Sequence, residues 1–413
     1  MYMYFLLIRI AAIFGHSKAR MLVQGQKQTL CTQLSAFRSC IWIHAASVGE
    51  FEQARPLIER LRRERPEQKI VVTFFSPSGY EMRKNYAHAD SVLYLPFATR
   101  RNAKRFIEAL QPEMAIFVKY EFWPAYLREL KKRGIPTYSI SAIFREKQIY
   151  FRPWGKAMLR VLNCFSHIYV QDEASLALLQ NHGIVQTSVA GDTRFDRVRD
   201  VMAGLQTDDA RLAPVADFTA GCERVIVAGS TWPKDEDLLA EYMDCQAMTA
   251  NESAKLILVP HEIDEAHLHF IFNRFKGRFV RYSSLVNLSQ DTRRNIIRHA
   301  NVLVIDKMGL LSSVYRFGQT AYIGGGFGVG IHNTIEAAVY GIPVLFGPNY
   351  LHFREAKGLI AMGAARSVRN YSELEEALET ALTNYIEIGA RAAEYVHSET
   401  GATEKIYNEL FEN

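Results

Sequence analysis

The chain has 413 residues, of which 48% are hydrophobic and 23% charged, and its formal net charge is +5. This length favours two to three domains with substantial hydrophobic cores. The modest net charge, without clustered Lys and Arg, argues against a nucleic-acid-binding protein. The five cysteines are scattered without a CxxC pair, which is typical of reduced thiols in the cytosol.

The N-terminal run MYMYFLLIRIAAIF is apolar and aromatic, interrupted only by Arg9. A membrane-spanning helix needs about 20 apolar residues, so this run is too short to cross a bilayer. It also lacks the basic start and the cleavage site of a signal peptide. We therefore predict a membrane-associated segment over residues 1–30, with Lys18, Arg20 and Lys27 beside the lipid headgroups. The alternatives are a core helix packed on the neighbouring domain and the end of a longer anchor.

Short β-rich runs alternate with helical patterns along the rest of the chain. The predicted strands lie at 70–75, 91–95, 114–118, 137–140 and 167–170 in the first half, and at 224–228, 256–259, 302–305, 320–323 and 343–346 in the second. Alternating βα units indicate parallel sheets. We predict an α/β protein with two doubly wound, Rossmann-like domains facing across a cleft.

The domains are expected at 31–200 and 223–413, joined by a linker at 201–222 where the patterning lapses. The helices from Tyr371 onward are candidates for packing back onto the first domain. Oligomeric state is not encoded in any pattern of this sequence.

The segment IWIHAASVGE, residues 41–50, runs from a short apolar strand through a small-residue turn into a predicted helix at 51–63. Ligands of open parallel sheets gather at the carboxyl ends of strands, where such turns lie. Glu50 is therefore a candidate catalytic residue, with Ser47 beside it and with Gly49 leaving room for a substrate. The pattern equally allows Glu50 to complement only the helix dipole.

Glu121 also follows a predicted strand, at 114–118, and precedes a helix that begins near Trp123. Glu50 and Glu121 are thus expected to face the same crevice. If they lie close, their mutual repulsion raises the pKa of one carboxyl and produces a usable general base. The alternative is a carboxylate that satisfies buried backbone groups or an arginine.

The block GGGFGVGIHNTIEAAVYGIPVLFGP, residues 324–348, follows the strand at 320–323. It leads into a helix whose start is predicted at His332 and Asn333. Glycines such as Gly325 and Gly326 let the backbone approach a phosphate, and Glu336 would lie on the same helix face as Asn333, where it suits two ribose hydroxyls. The block is neither a GxGxxG fingerprint nor a P-loop. A purely structural glycine turn is the alternative.

Ser230 and Thr231 open a helix near Pro233 and could hold a phosphate or carboxylate, although ordinary N-capping explains them equally well. The acids at 235–237 that follow are interpreted as ordinary first-turn residues rather than as a metal site. His261 follows the strand at 256–259 and is well placed to contact a ligand. His267 and His269 are expected on a solvated helix face, because residues two apart point away from each other on a helix.

Seven segments together resemble the 3-deoxy-D-manno-oct-2-ulosonic acid (Kdo) transferases of Gram-negative bacteria, in one consistent order over most of the chain. They are HAASVGE (44–50), YEFWP (120–124), GDTRFD (191–196), GSTWPKDE (229–236), LVPHE (258–262), DKMGLL (306–311) and the glycine-rich block at 324–348. The resemblance implies a GT-B fold with an N-terminal acceptor domain and a C-terminal domain that binds CMP-Kdo.

The resemblance further implies an inverting, metal-independent transfer of Kdo from CMP-Kdo to a lipid A precursor of the lipid IVA type, for lipopolysaccharide biosynthesis. The reaction would take place at the cytoplasmic face of the inner membrane, with no cofactor and no nucleic-acid partner. Glu50 matches the proton acceptor of the family. From the resemblance and the patterns above, the expected substrate and CMP contacts are Ser47, Gly49, Arg194, Ser230, Thr231, Pro260, His261, Met308, Gly309, Leu310, Gly325, Gly326, Asn333, Thr334, Ile335 and Glu336.

Three positions depart from the family pattern: His261 replaces a frequent arginine, Arg194 a usual lysine, and Leu310 a frequent glutamate. Arg194 and helix-terminal N–H groups are expected to stabilise the departing phosphate. The helix terminus is expected to depress the pKa of Glu50 and keep it ionised. The alternatives are another GT-B enzyme, such as a UDP-sugar transferase or a nucleotide-sugar epimerase, and a non-enzymatic nucleotide-binding scaffold at the membrane.

Overall fold

The computed structural model describes residues 2–204, 209–248, 254–275 and 278–412. The chain divides into two compact units, unit 1 (Met1–Arg197 and Glu399–Asn413) and unit 2 (Val198–Ser398). Each unit contains a seven-stranded sheet whose neighbouring strands all pair in parallel. The predicted α/β architecture of two Rossmann-like units is therefore confirmed.

Unit 1 has the strand order β3-β2-β1-β4-β5-β6-β7. Its strands are β1 (Ile41–His44), β2 (Ile70–Phe74), β3 (Ser91–Tyr94), β4 (Met114–Val118), β5 (Thr137–Ala142), β6 (His167–Val170) and β7 (Thr187–Val189). Its helices are α1 (Tyr2–Ile13), α2 (Ser17–Cys31), α3 (Val48–Glu64), α4 (Pro77–Arg83), α5 (Arg100–Leu110), α6 (Pro124–Lys132), α7 (Lys156–Leu162), α8 (Glu173–Asn181) and, late in the chain, α19 (Ala402–Phe411); α9 (Thr193–Ala203) contains the boundary between the units.

Unit 2 has the strand order β10-β11-β9-β8-β12-β13-β14. Its strands are β8 (Val225–Thr231), β9 (Lys255–Pro260), β10 (Phe279–Arg281), β11 (Val302–Val304), β12 (Thr320–Ile323), β13 (Val344–Phe346) and β14 (Ala365–Ser367). Its helices are α10 (Ala213–Thr219), α11 (Pro233–Met248), α12 (Glu265–Arg274), α13 (Gln290–Ile297), α14 (Leu311–Val314), α15 (Ile335–Ala338), α16 (Arg354–Ala361), α17 (Tyr371–Thr383) and α18 (Tyr385–Ser398).

Strand β1 shows how the sheet of unit 1 is stabilised. All four of its residues are buried, because helices cover both faces of a parallel sheet. Trp42 packs in the core on one face, whereas Ile41 and Ile43 belong to the core on the other, as the alternation of side chains along a strand requires. The Trp42 indole donates to Thr73 Oγ1 at 2.9 Å, which leaves its N–H group satisfied in the core.

The helices α1 and α2 belong to unit 1. Phe5 and Leu22 are buried in its core, and the Phe5 ring lies 4.7 Å from that of Phe97. The outer side of α1 leaves apolar side chains exposed, including Leu6 (56%) and Ile13 (76%). The segment thus has one core face and one exposed apolar face. Among the described residues, no helix combines the length and hydropathy needed to cross a bilayer.

Two expectations about the domain bounds differ from the structure. The predicted linker at 201–222 contains α10, whose Val215 and Phe218 are buried in unit 2. Of the helices from Tyr371 onward, α17 and α18 stay in unit 2 and only α19 belongs to unit 1. The Asp196 carboxylate accepts from the Gly401 and Thr403 amides, both at 2.7 Å, and so fixes the start of α19.

Candidate functional site

Glu50 lies at the carboxyl edge of the unit 1 sheet, in the first turn of α3. Ser47 caps this helix and accepts from the Glu50 amide at 3.4 Å, while Glu50 Oε2 accepts from the amides of Ala46 (2.7 Å) and Ser47 (3.1 Å). This capping box fixes the carboxylate against the turn. The space beside Gly49 is open. These contacts fit the dipole interpretation of Glu50, and they also fix its carboxylate in one position.

The pKa of Glu50 is raised, first by burial and then by the negative charge of Glu121. The charge of His44 and the two backbone hydrogen bonds oppose this shift without cancelling it. The expectation that the helix terminus depresses the pKa was wrong, because desolvation of a largely buried carboxylate outweighs the terminus. A raised pKa makes the ionised carboxylate a stronger base.

Glu121 lies near enough to Glu50 for the two charges to interact, as the sequence suggested. Its Oε2 accepts from Trp123 Nε1 at 2.6 Å and lies 3.2 Å from His44 Nε2. The other ring nitrogen of His44, Nδ1, lies 3.0 Å from the Thr73 carbonyl oxygen and 2.9 Å from the Thr73 hydroxyl. The partners of Glu121 are thus an imidazole and an indole, rather than the backbone or arginine considered from the sequence.

His44 is the functional candidate that the sequence reasoning missed. It is fully buried, ends β1 and contacts the carboxylate of Glu121. Its position as the last residue of a strand in the HAASVGE segment was the available signal. Its partner Glu121 is 77 positions away in the sequence and lies in the loop after β4. This contact could not be predicted without the β1–β4 pairing, which places His44 beside Phe117.

Substituting Glu121 by Gln removes the negative charge that raises the pKa of Glu50. We expect the pKa of Glu50 to fall, so if Glu50 is the general base, the acid limb of the kcat/KM profile moves to lower pH. A pH–rate profile of the variant and the wild type measures this shift. Glu113→Gln, at the opposite end of β4, is the matched control and should leave the limb in place. An unchanged limb in Glu121→Gln contradicts the coupling of the two carboxyls.

Arg194 lies in the first turn of α9 and is held by Asp192. The Nε and the backbone amide of Arg194 donate to the Asp192 carboxylate at 2.9 and 3.0 Å. The same carboxylate accepts from Gln53 Nε2 on α3 at 3.1 Å. Gln53 is three residues after Glu50 on α3, so Arg194 is tied to the same helix as the candidate base.

Asp235 organises the glycine-rich loop of unit 2. This carboxylate is 1% exposed and accepts from the Trp232 amide (3.0 Å), the Gly325 amide (2.9 Å) and Tyr322 Oη (2.8 Å). Burial raises the pKa of Asp235, and the three hydrogen bonds reduce that shift. The turn after β8 is thereby joined to the loop after β12.

The glycines of this loop are required by close backbone contacts. A Cβ atom on Gly324 would lie 2.3 Å from the Ser230 carbonyl oxygen, and one on Gly326 would lie 2.5 Å from the Cα of Gly347. Gly325 has a φ of 89°, which favours glycine. Packing therefore accounts for these three glycines, and their approach to a phosphate stays a prediction.

Thr231 and His267 are both bound to Glu236 inside unit 2. The Thr231 hydroxyl donates to Glu236 Oε1 at 2.8 Å, and His267 Nε2 lies 2.9 Å from Glu236 Oε2. The solvated helix face predicted for His267 was wrong, because its side chain is only 8% exposed. His269 is exposed as expected. Ser230 is partly buried and has a left-handed φ of 55°.

Three aromatic rings stack where β8, β9 and β12 end. The exposed ring of His261 lies 4.8 Å from that of Trp232 and 4.4 Å from that of His332. Trp232 Nε1 donates to His332 Nε2 at 3.2 Å. Burial, followed by the charge of His261, lowers the pKa of His332, which fits a neutral ring that accepts this hydrogen bond.

Asn333 and Glu336 lie together, since Asn333 Nδ2 donates to Glu336 Oε1 at 2.8 Å. The helix predicted to start at His332 and Asn333 is the four-residue α15, which starts at Ile335, because Asn333 Oδ1 instead accepts from the Ile335 amide. The Thr334 hydroxyl is buried and has no hydrogen-bond partner within the described part of the chain. Unsatisfied buried polar groups are uncommon in native structures, so the Thr334 hydroxyl is a candidate ligand contact.

The remaining predicted contacts differ in accessibility. Met308 is 70% exposed, whereas Leu310 is 3% exposed, and Gly309 between them has a φ of 85°. Pro260, at the end of β9, and Ile335 are buried, so they can offer only limited surface to a ligand. Within the residues that the structure describes, no group of three or more His, Cys, Asp or Glu side chains could hold a metal ion.

Known proteins are similar to this chain over most of its length. Residues 10–197 match the family model described as 3-deoxy-D-manno-octulosonic-acid transferase (kdotransferase). The chain is 27% identical over 82% of its length to the 3-deoxy-D-manno-octulosonic acid transferase of Aquifex aeolicus, covering 84% of that protein. It is 26% identical over 85% of its length to the Rickettsia felis enzyme of the same name, covering 73% of it.

The fold is similar to solved structures of another enzyme. The UDP-GlcNAc 2-epimerase of Neisseria meningitidis, bound to UDP-GlcNAc, has a TM-score of 0.64 at 16% identity. The match covers 90% of this chain and 100% of the epimerase chain. A UDP-N-acetylglucosamine 2-epimerase from Listeria monocytogenes, described as putative, has a TM-score of 0.62 at 13% identity, over 91% of this chain and 98% of its own. At these identities the likeness concerns the fold alone.

The two parallel-sheet units and the family match define a glycosyltransferase of the GT-B fold. The matches to the Aquifex aeolicus and Rickettsia felis proteins extend over parts of both units. The chain is thus similar to the Kdo transferases, by the family model over residues 10–197 and by the curated relatives over 82–85% of its length.

Proposed function

We propose that this protein transfers Kdo from CMP-Kdo to a lipid A precursor of the lipid IVA type, with inversion and without a metal ion. One observation carries the proposal within this family. The Glu50 carboxylate is fixed by two backbone amides at the carboxyl edge of unit 1 and has a raised pKa. A fixed, strengthened base at such an edge suits the removal of a proton from a sugar hydroxyl.

In the proposed reaction, an acceptor hydroxyl oxygen attacks the anomeric carbon of Kdo. The new C–O bond forms as the bond between that carbon and the phosphate oxygen breaks, and its electron pair leaves with CMP. Glu50 takes the hydroxyl proton. Arg194 and backbone N–H groups balance the charge on the departing phosphate, so the proposal needs neither a metal nor a cofactor.

Glu121 is proposed as the carboxylate that tunes the catalytic base Glu50. Its charge raises the pKa of Glu50, and its contacts to His44 and Trp123 hold it in place. It therefore acts on the strength of the base without itself receiving the proton.

Unit 2 is proposed to bind CMP-Kdo, and unit 1 the acceptor. The hydrogen-bonded pair Asn333–Glu336 suits the ribose hydroxyls, with the unsatisfied Thr334 hydroxyl beside it. The stacked rings of Trp232, His261 and His332 offer a flat aromatic surface to the nucleotide. The other predicted contacts in unit 2 are proposed to complete this site, namely Ser230, Thr231, Pro260, Met308, Gly309 and Leu310.

The direct test incubates the full chain with CMP-Kdo and lipid IVA and follows the product by mass spectrometry. We expect products heavier by one or more Kdo residues, with or without a chelator, and the anomeric configuration of the product determined by NMR tests inversion. CMP should compete with the donor and UDP should not. Epimerisation of UDP-GlcNAc without Kdo transfer would favour the alternative GT-B activity and contradict the proposal.

The exposed apolar face of α1 is proposed to lie on the cytoplasmic leaflet of the inner membrane. Substituting both Leu6 and Ile13 by Glu, one heptad apart on this face, should weaken binding to vesicles that contain phosphatidylglycerol by at least about tenfold, because each apolar side chain contributes about 1.5–3 kcal/mol when buried. Co-sedimentation measures the change. Val185→Glu, at an exposed apolar residue elsewhere in unit 1 (74% exposed), is the control and should bind like the wild type. Equal binding of the double variant would contradict the proposal.

A further inference from the structure

The charged side chains at the start of the sequence are all positive. The first 49 residues contain five Lys and Arg residues, from Arg9 to Arg38, and the first acidic residue of the chain is Glu50. Helices α1 and α2 therefore have no carboxylate of their own to pair with their cations. Like charges repel, so cations that are gathered at one place favour the binding of an anion there.

Three of these cations line one cavity formed by α1 and α2, which we call the α1–α2 cavity. Its volume is about 650 Å³, and its walls include Arg9 from α1 and Arg20 and Lys27 from α2. Phe97, in the loop after β3, and Asn102 of α5 also line it. No Asp or Glu is among the described residues that line this cavity. The volume is in the range of known ligand sites.

The three cations keep their charge in the folded unit. The Arg9 guanidinium lies over the Phe97 ring, 5.4 Å from its centroid, and this contact does not neutralise it. Arg20 Nε donates to the Ala12 carbonyl at 3.0 Å, which holds the guanidinium between the two helices. Within the part of the chain that the structure describes, Arg9, Arg20 and Lys27 form no ion pair with a carboxylate. The cavity is therefore strongly electropositive.

Gln26 adds an unsatisfied donor to the wall of the same cavity. This residue is 4% exposed, and its Oε1 accepts from the Phe97 amide at 3.1 Å, which fixes the orientation of the side-chain amide. Its Nε2 is buried and has no hydrogen-bond partner among the described residues. Such donors are uncommon in native structures. An acceptor oxygen bound in the cavity would satisfy this one.

The groups around the cavity favour a ligand that is negatively charged and rich in acceptor oxygens. A phosphate group has both properties, and Arg and Lys are its usual partners. The cavity is also lined by Ile13, which is 76% exposed and belongs to the exposed apolar face of α1. An anion bound here therefore lies beside an apolar surface, as the phosphate of a membrane lipid does.

The α1–α2 cavity is separate from the turn that carries Glu50. None of its described lining residues belongs to segments 44–50 or 120–124. A different, mostly apolar groove of α1 and α2 adjoins that turn through Ser76, whose amide donates to the Ala46 carbonyl at 2.7 Å. The two sets of lining residues do not overlap. The position of the cavity thus suits a bound lipid that does not react.

We propose that the α1–α2 cavity binds the phosphate group of an anionic membrane phospholipid, held by its three cations and by Gln26 Nε2. The assignment to a membrane lipid rests on the position proposed above for α1. The acyl chains of the lipid follow the apolar face of α1 into the leaflet. The three cations repel the choline of a zwitterionic headgroup, so the cavity selects phosphatidylglycerol over phosphatidylcholine.

The test uses a monomeric lipid, so that adhesion of α1 to a bilayer does not contribute. Dihexanoyl-phosphatidylglycerol, below the concentration at which it forms micelles, is titrated into the full chain by calorimetry. We expect Lys27→Gln to weaken binding by about tenfold, as for the loss of a hydrogen bond to a charged group. The control Lys132→Gln removes an exposed lysine at the end of α6, outside the cavity lining, and should bind like the wild type.

Gln26→Glu tests the unsatisfied donor. A carboxylate oxygen can still accept from the Phe97 amide, whereas the other oxygen replaces Nε2 and repels a phosphate, so binding should again fall by about tenfold or more. Gln28→Glu adds the same charge at an exposed position of α2 and should change binding by no more than about twofold. The Tm of each variant is measured as well. If Gln26→Glu lowers the Tm, the comparison of Lys27→Gln with Lys132→Gln decides.

Two further probes separate the lipid from other ligands. Dihexanoyl-phosphatidylcholine should bind at least about tenfold more weakly than the phosphatidylglycerol, and inorganic phosphate, which has no acyl chains, should also bind more weakly. Inorganic phosphate that binds as tightly as the lipid would overturn the lipid assignment. Equal binding of the two lipids, or of phosphatidylglycerol to Lys27→Gln and Lys132→Gln, would overturn the proposal. Absence of Kdo transfer by the wild type would overturn the proposed function and leave this comparison unaffected.

Discussion

Substituting Glu50 by Gln is expected to reduce the rate of Kdo transfer by about 10²- to 10⁴-fold, the usual contribution of a general base. The amide oxygen of Gln can still accept from the Ala46 and Ser47 amides, so the capping box and the start of α3 should persist. CMP binding should be unchanged, because the substitution removes only the group that takes the proton. Steady-state kinetics and CMP titration together measure the two effects.

The neighbouring Glu52→Gln is the matched control for this substitution. Glu52 lies on the same helix and forms ion pairs with Arg55 and Arg83. Partly exposed ion pairs contribute little to stability, so this variant should be nearly as active as the wild type. Full activity of Glu50→Gln would exclude Glu50 as the base, and loss of CMP binding would point to a wider structural change.

Substituting Asp235 by Ala is expected to destabilise unit 2 by about 3–5 kcal/mol and to abolish CMP binding. The change leaves three buried donors without an acceptor, from Trp232, Tyr322 and Gly325, at about 1–3 kcal/mol each and not strictly additive. The glycine-rich loop loses its attachment to the turn after β8 at the same time. Urea unfolding and CMP titration measure the two losses.

Asp237→Ala is the control for the Asp235 variant. Asp237 lies two residues further along α11, with a side chain that is 53% exposed and paired to Arg274. Its removal should change the free energy of unfolding by no more than about 0.5 kcal/mol. Equal stability of the two variants would contradict the organising role of Asp235.

Hydrophobic patterning was sufficient to predict the interior strands of both sheets. The predicted strands at 114–118 and 167–170 agree with β4 and β6, because long apolar runs are typical of strands buried on both faces. Three strands were not predicted, namely β7, β10 and β14. Each has three residues and lies at the edge of its sheet, where partial exposure leaves no apolar run to recognise.

The site was predictable as a set of positions at strand ends but not in its electrostatics. Glu50 and Glu121 were identified because both follow predicted strands. The sign of the shift in the pKa of Glu50 depends on the burial of its carboxylate, which no local pattern gives. His44 contacts Glu121, which lies 77 positions away in the sequence, so its role follows from strand pairing rather than from a local pattern.

The helix α19 affects the order in which the protein can fold during synthesis. Ile406 and Tyr407 of this helix fill the core of unit 1, and Asp196 fixes its start. Residues 198–398 form unit 2 in between. All of unit 2 is therefore synthesised before unit 1 can be completed. Until α19 is synthesised, nascent unit 1 is expected to have an open hydrophobic groove on the α3 side of its sheet. Chaperone binding during translation is expected at that groove rather than at unit 2.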